Sequence, residues 1–384
     1  MARQLISGPN FSGRSEALRA RLISRGPAFF IGPYAEAALS GLASTVADEL
    51  TVYRADTARR RRPFAALDLA TCADRKPQTL SGGEQVLLAL QCFAQSKYRA
   101  VGIDTALEQL DGGNRADAIA FLSRLDACEV TLIDNRMAVA PADWANIACA
   151  PKASAFVCDL AGLIADLGPR AAPRIVIRDL DFSYRRGADV FAGAGLTLEP
   201  GHAYRLFGRN GAGKTTLLKI LVGVLAPGRG DIWLGDRPYA PWRHGNAAFA
   251  LATQNPDHQW CGATLREDVE RRRSAAKLGL DTQALLAASR KLGLTSLDQH
   301  LYELPLAARK RLSWLWPLSG VMPWIMLDEP TVGQDRDTCG ALAAALASFC
   351  RLGYGVVFVT HDDEFAAQVP HNIVTIENRR TSVS

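Results

Sequence analysis

Two near-continuous apolar runs, Pro323-Trp-Ile-Met-Leu-Asp328 and Gly355-Val-Val-Phe-Val-Thr360, end in polar groups. Runs of this kind predict strands buried on both faces of a parallel sheet. Ala203-Tyr-Arg-Leu-Phe207 predicts another short strand, and Lys214–Val222 carries apolar residues at helical spacing. Upstream, Arg174-Ile-Val-Ile-Arg178, the Phe182-Ser-Tyr184 segment and the alternating Gly195-Leu-Thr-Leu-Glu199 read as further strands. Between the halves, Leu167-Gly-Pro-Arg-Ala-Ala-Pro173 breaks all periodicity and predicts a domain junction. The expected class is α/β, with reactive groups at the carboxyl ends of the parallel strands. No apolar run approaches the roughly 20 residues that span a bilayer. Trp314–Leu327 comes nearest and is interrupted by Pro317, Gly320 and Pro323.

The pattern occurs twice. Leu80 to Asp104 and Leu304 to Asp328 are both 24 residues apart, and each Asp is followed seven residues later by another, Asp111 and Asp335. Equal spacing across three landmarks predicts a diverged internal repeat. A glycine-rich stretch precedes each: Gly8-Pro-Asn-Phe-Ser-Gly-Arg-Ser15 and Gly208-Arg-Asn-Gly-Ala-Gly-Lys-Thr215. From there the halves differ, with 66 residues from Arg14 to Leu80 and 90 from Lys214 to Leu304. The N-terminal half has lost about a helix from its middle and the strands that precede the second loop. The predicted domains are 1–168 and 174–384, the first truncated and degenerate.

Composition changes this picture little. At 384 residues, 48% hydrophobic, 22% charged and with net charge +5, the chain reads as two soluble globular domains. The runs Arg59–Arg62 and Arg271–Arg273 read as solvated surface. Eight cysteines without metal spacing read as buried thiols in a reducing compartment. The opening Met1-Ala-Arg-Gln leads straight into the first glycine-rich stretch and does not read as a secretory leader.

Residues 208–215 fit the phosphate-loop pattern completely. Gly208, Asn210, Gly211 and Gly213 let backbone N–H groups face phosphate oxygens, and the following helix adds its dipole. Lys214 is expected to reach the β and γ phosphates, Thr215 to ligate Mg²⁺, and Thr216 to continue the cradle. Asp328 ends an apolar strand, as a metal-side carboxylate should. Glu329 is placed to act as general base. His361, after the second apolar run, is placed to touch the γ phosphate. Gln254 and Tyr184 are weaker candidates: Gln254 for water and metal, Tyr184 for stacking on a base.

Together with Leu80-Ser-Gly-Gly-Glu84, these residues resemble the ATP-binding cassette (ABC) family over nearly the whole chain. The resemblance implies two P-loop domains set head to tail, with nucleotide sandwiched between them. Ser81, Gly82 and Gly83 would close the site of Lys214, Thr215, Asp328, Glu329, His361 and Gln254. The converse site would pair Arg14 and Thr105 with Pro305, Leu306 and Ala307, where the lysine, base and small signature residues are all gone. The resemblance thus implies one hydrolysing site and one crippled site, binding ATP and Mg²⁺.

Gln254-Asn-Pro-Asp-His-Gln259 and Thr264-Leu-Arg-Glu-Asp-Val269 look like the ATPases of energy-coupling factor (ECF) importers, with a remnant in Ser44–Leu50. That likeness implies an integral membrane coupling subunit and a substrate-binding membrane subunit for vitamins or metal ions. It also implies a location on the cytoplasmic face of the membrane, an intramolecular cassette pair needing no homodimer, and no nucleic acid. The alternatives are a non-ECF importer ATPase, a soluble ABC ATPase of translation or DNA maintenance, and a regulatory module. The short junction and the absence of heptads speak against the soluble class, and Glu329 with His361 against a pure regulator.

Overall fold

A computed structural model describes residues 2–10, 12–54, 72–125, 127–137, 140–150, 158–184, 189–246, 248–276, 282–294 and 297–383. The chain forms two compact units, Met1–Ala155 with Val332–Asp335, and Phe156–Thr331 with Arg336–Ser384.

The first unit is built on a five-stranded parallel sheet in the order β2-β3-β4-β1-β5. Its strands are β1 (Arg3–Ser7), β2 (Phe29–Ile31), β3 (Ala100–Asp104), β4 (Glu129–Ile133) and β5 (Ala145–Ala148). Its helices are α1 (Arg14–Ser24), α2 (Val46–Val52), α3 (Gly82–Gln95) and α4 (Gly112–Ser123). Every residue of β3 is buried, as its unbroken apolar run requires. Helix α3 is buried continuously from Gln85 to Ala94. It forms the centre of a core with Phe29, Val101, Leu107, Leu122 and Leu132.

The second unit opens with α5 (Leu160–Ala165), then β6 (Ile175–Ser183), β7 (Asp189–Leu198), β8 (Ala203–Phe207) and α6 (Lys214–Leu221). Next come β9 (Arg229–Leu234), β10 (Arg237–Pro238), α7 (Pro241–His244), β11 (Phe249–Ala252), α8 (Leu265–Ala276), α9 (Thr282–Lys291), α10 (Leu306–Ser313) and α11 (Leu315–Leu318). It ends with β12 (Trp324–Asp328), α12 (Arg336–Arg351), β13 (Gly355–Val359), α13 (Asp363–Gln368), β14 (Asn372–Glu377) and β15 (Arg380–Val383). One sheet runs β11-β12-β13-β8-β14-β15, parallel except for the last pair. A separate antiparallel sheet runs β10-β9-β6-β7.

The order β11-β12-β13-β8-β14 is that of β2-β3-β4-β1-β5, strand for strand. The 24-residue spacing from Leu to Asp therefore marks equivalent positions in two sheets of the same topology. Among the described residues the first unit has no counterpart of the antiparallel sheet. Helix α5, ahead of the sequence junction at 167–173, counts with the second unit, where Lys291 Nζ donates to Gly162 O at 2.7 Å. Among the described residues, no helix is long and apolar enough to cross a membrane.

Candidate functional site

Strand β8 and helix α6 are joined by residues 208–213. Gly213 turns the chain into the helix at φ +106°, a left-handed conformation that costs other residues strain. A Cβ there would lie 2.6 Å from Val190 on β7, so the antiparallel sheet presses directly on the loop. At Gly208 a Cβ would stand 2.6 Å from the Ile376 carbonyl of β14. The loop is thus walled by two sheets and tolerates only bare backbone at its ends.

Lys214 is buried and its Nζ donates to the carbonyls of Gly208 at 2.7 Å and Arg209 at 3.1 Å. The ammonium lies along the loop that a phosphate would enter. Thr215 Oγ1 donates to Asp328 Oδ2 at 2.8 Å, joining the two groups expected at the metal. Burial pushes the Asp328 carboxyl above its ordinary value, the Thr215 bond opposes this, and the charge of Glu329 adds to it. The Asn210 amide nitrogen is buried and makes no hydrogen bond. A glycine loop opening a helix, a buried cation, an orphaned amide and a hydroxyl–carboxylate pair fit a magnesium nucleotide. Bound Mg²⁺ would neutralise charge on the phosphates.

Glu329 follows β12 with φ +46°, its N–H donating to Val359 O at 2.9 Å. Its carboxylate accepts from the His361 N–H at 3.3 Å, and His361 Nε2 lies 3.6 Å from the other oxygen. The structure therefore gathers Lys214, Thr215, Asp328, Glu329 and His361 at the carboxyl ends of β8, β12 and β13. Thr216 Oγ1 lies 3.1 Å from the Tyr184 hydroxyl. Tyr184 is exposed and sits edge-on to Phe182 with centroids 5.0 Å apart, so it is not a core residue. Gln254 follows β11, next to β12 in the sheet. Its carbonyl and that of Thr253 accept from Lys310 Nζ.

Lys310 gives no signal in the sequence, because Arg309-Lys310-Arg311 looks like solvated charge. It is fully buried. Within Arg271–Arg273, Arg271 is exposed as read, whereas Arg272 is largely covered: it bonds Asp268 at 2.8 Å and its guanidinium lies over the Trp316 ring at 5.7 Å. Arg59–Arg62, Phe11 and the Arg273 side chain lie outside the described residues.

The first unit repeats the backbone with different side chains. Thr105 takes the place of Glu329 and keeps the same left-handed conformation, φ +56°, with its N–H donating to Ile133 O at 2.8 Å. Strain of this kind persists where surrounding structure imposes it. Arg14, in the lysine position, donates to Asn135 Oδ1 at 2.7 Å and Asn10 Oδ1 at 3.0 Å. Asn135 stands where the second unit has His361. Asp104 keeps a side-chain hydrogen bond from Ser15, and burial pushes its carboxyl up. Glu108 is fully buried and accepts from the N–H groups of Asn135 at 2.7 Å and Gly333 at 2.9 Å.

Ser81 caps α3 in a capping box: Glu84 N–H donates to Ser81 Oγ at 3.4 Å and Ser81 N–H to Glu84 Oε2 at 2.7 Å. Gly82 and Gly83 open the helix, whose positive end suits an anion. At the equivalent start of α10, Pro305 has no N–H to give and caps nothing.

A strand–glycine loop–helix with a lysine, a hydroxyl and a strand-end carboxylate pair defines a P-loop nucleotide-binding protein. The family model described as ABC transporter matches residues 191–332. A Streptomyces coelicolor protein named as an ABC transporter ATP-binding protein is 35% identical over 207 residues, 51% of this chain and 72% of its own. The energy-coupling factor transporter ATP-binding protein EcfA1 of Thermotoga maritima is 32% identical, over 50% of this chain and 74% of its own. EcfA of Methanothermobacter thermautotrophicus is 30% identical, over 53% and 68%. Against longer relatives the coverage falls, to 32% of a second Streptomyces coelicolor protein. The chain belongs to the ABC transporter ATP-binding family: it has the α/β P-loop ABC ATPase fold and is an ATPase that uses ATP with Mg²⁺.

Proposed function

We propose that this chain energises a membrane importer of the ECF type, with two cassettes, 1–168 and 174–384, set head to tail. In this reading Lys214, Thr215, Asp328, Glu329, His361 and Gln254 make the one hydrolysing site, closed by Ser81, Gly82 and Gly83. The observation that carries the proposal is the pair Glu329 and Thr105: one strained backbone position, twice built, once with a base and once without. Complementary losses support exchange of parts, since the unit lacking the base has the intact signature helix and the other has Pro305.

The first loop, with Arg14 bonded to Asn10 and Asn135, is read as internally satisfied and not hydrolysing. The ECF assignment rests on Gln254–Gln259 and on the names of relatives. The partners are an integral membrane coupling subunit and a membrane subunit that binds a vitamin or metal ion, at the cytoplasmic face of the membrane. Residues around Gln254–Val269 receive the coupling subunit. There Trp260 is half-buried and lines a small cavity with Val269, Arg272, Leu285 and Trp316.

Affinity purification from native membranes tests this. The expected result is an integral membrane protein that is lost when Trp260 and Cys261 are replaced by Asp. Co-purification of ribosomes or DNA without a membrane protein would transfer the chain to the soluble mechanical class.

A further inference from the structure

Helix α10 occupies the place of the signature helix and has lost what that helix needs to bind phosphate, yet it is anchored more heavily than its length requires. Arg309 bonds Asp257 at 2.6 Å, Arg311 donates to Thr338 Oγ1 at 2.7 Å, and Ser313 O accepts from Gln259 Nε2 at 3.2 Å. At its middle Lys310 is fully buried and donates to three carbonyls: Gln254 at 2.7 Å, Thr253 at 3.0 Å and Asp328 at 3.2 Å. An ammonium has three donors and no acceptor, so the set is complete. Two of these carbonyls belong to the segment just beyond β11, and the third ends β12.

We propose that Lys310 is a positioning residue for hydrolysis, holding Gln254 in register with the Asp328–Glu329 pair. The carboxyl ends of adjacent strands β11 and β12 have no ladder bonds beyond the last paired residues, Ala252 with Leu327. Past that pair the two segments can drift apart, and one cation with three fixed acceptors prevents it. The negative charges facing the ammonium are Asp328 and Glu329, which favour its charged form against burial. Lys310 touches no expected phosphate or metal position, and it acts through the backbone of residues that do. The sequence of the helix then makes sense: its phosphate-facing start was free to change, and its buried middle was not.

This rests on the reading of Gln254 and Asp328 as metal-side groups, and the test separates the two. In the full chain, Lys310→Met keeps the length and removes the donors, while Lys310→Gln restores part of them. The readouts are the Mg²⁺ dependence of ATP hydrolysis and, separately, binding of a fluorescent ATP analogue in EDTA. For Lys310→Met the expected result is a fall in kcat of about tenfold or more, with half-saturating Mg²⁺ raised several-fold, in line with misplaced catalytic groups. Analogue binding in EDTA stays within about twofold, since the loop is untouched. Lys310→Gln falls between Met and wild type, and decides the matter alone if the Met variant does not fold. Wild-type kcat and Mg²⁺ dependence in either folded variant would overturn the proposal. So would an equal loss of binding in EDTA, which would mean general disruption. If instead Asp328→Asn leaves Mg²⁺ dependence unchanged, the metal-side reading itself has failed.

Discussion

Replacing Glu329 by Gln removes one negative charge and leaves the shape of the site. The amide oxygen can still accept from the His361 N–H, 3.3 Å from the carboxylate in the wild type. Lys214, Thr215 and Asp328 are untouched, so nucleotide binding should persist. Loss of a positioned general base costs about 10²–10⁴ in rate, or roughly 3–5 kcal/mol of barrier. The same change should not destabilise the fold. Glu329 is 3% exposed and its charge helps push the neighbouring Asp328 carboxyl upward. Without it Asp328 ionises more readily and one buried carboxylate no longer needs solvation, which offsets the loss of one of the two charges facing Lys310. Tm should therefore stay level or rise, by roughly 2–4 °C for each kcal/mol gained in a unit of this size. Phosphate release at saturating ATP and Mg²⁺, nucleotide binding by calorimetry, and thermal unfolding together decide. Hydrolysis within about tenfold of wild type would refute the assignment of the base. A Tm lowered by several degrees would refute the electrostatic argument.

Lys214→Ala should abolish hydrolysis, whereas Arg14→Ala should leave its rate within a few-fold. Because it strips partners from buried Asn10 and from Asn135, Arg14→Ala should still cost about 1–3 kcal/mol of stability in denaturant titration. Ser81→Arg should stop phosphate release as completely as Lys214→Ala, and Ala307→Arg should not; equal effects would mean two working sites. Burial lowers the Lys310 pKa from 10.5 to about 8. The folded state therefore binds fewer protons than the unfolded chain between those values. Its contribution to stability is lost as pH falls from 10.5 through about 8, by at most about 3 kcal/mol. Thermal unfolding at a series of pH values should show this slope in the wild type and not in Lys310→Met. Gly355→Ala should destabilise by about 1–3 kcal/mol, read by thermal unfolding. Its Cβ would fall 2.2 Å from the Trp324 ring, which is held by its Nε1 bond to Pro173 O at 2.8 Å.

The strands that carry the site were legible because burial on both faces leaves an unmistakable apolar run. Trp324–Asp328 and Gly355–Val359 fall within one residue of the segments read from the pattern. The phosphate loop was legible because its chemistry admits few residues at each position. Equal spacing of Leu and Asp in the halves falls on equivalent positions of two sheets with the same strand order, since the residues between them fill a helix and strand of fixed length. Other features depended on distance across the fold. Sequence places Glu329 beside Asp328, but only the tertiary structure brings His361 to it from 32 residues away. Lys310 stands between the cationic Arg309 and Arg311, and nothing in the sequence sets it apart from them. A helix turns by about 100° per residue, so three consecutive side chains face three directions, and only packing says which direction is inside. The sequence shows Arg14 in the lysine position and does not show what its side chain reaches. Its two fixed donor arms, reaching Asn135 across 121 residues, show a guanidinium bonded within its own loop and strand end. What the residues could do chemically was written in their types, and which of them meet was decided by strand order and burial.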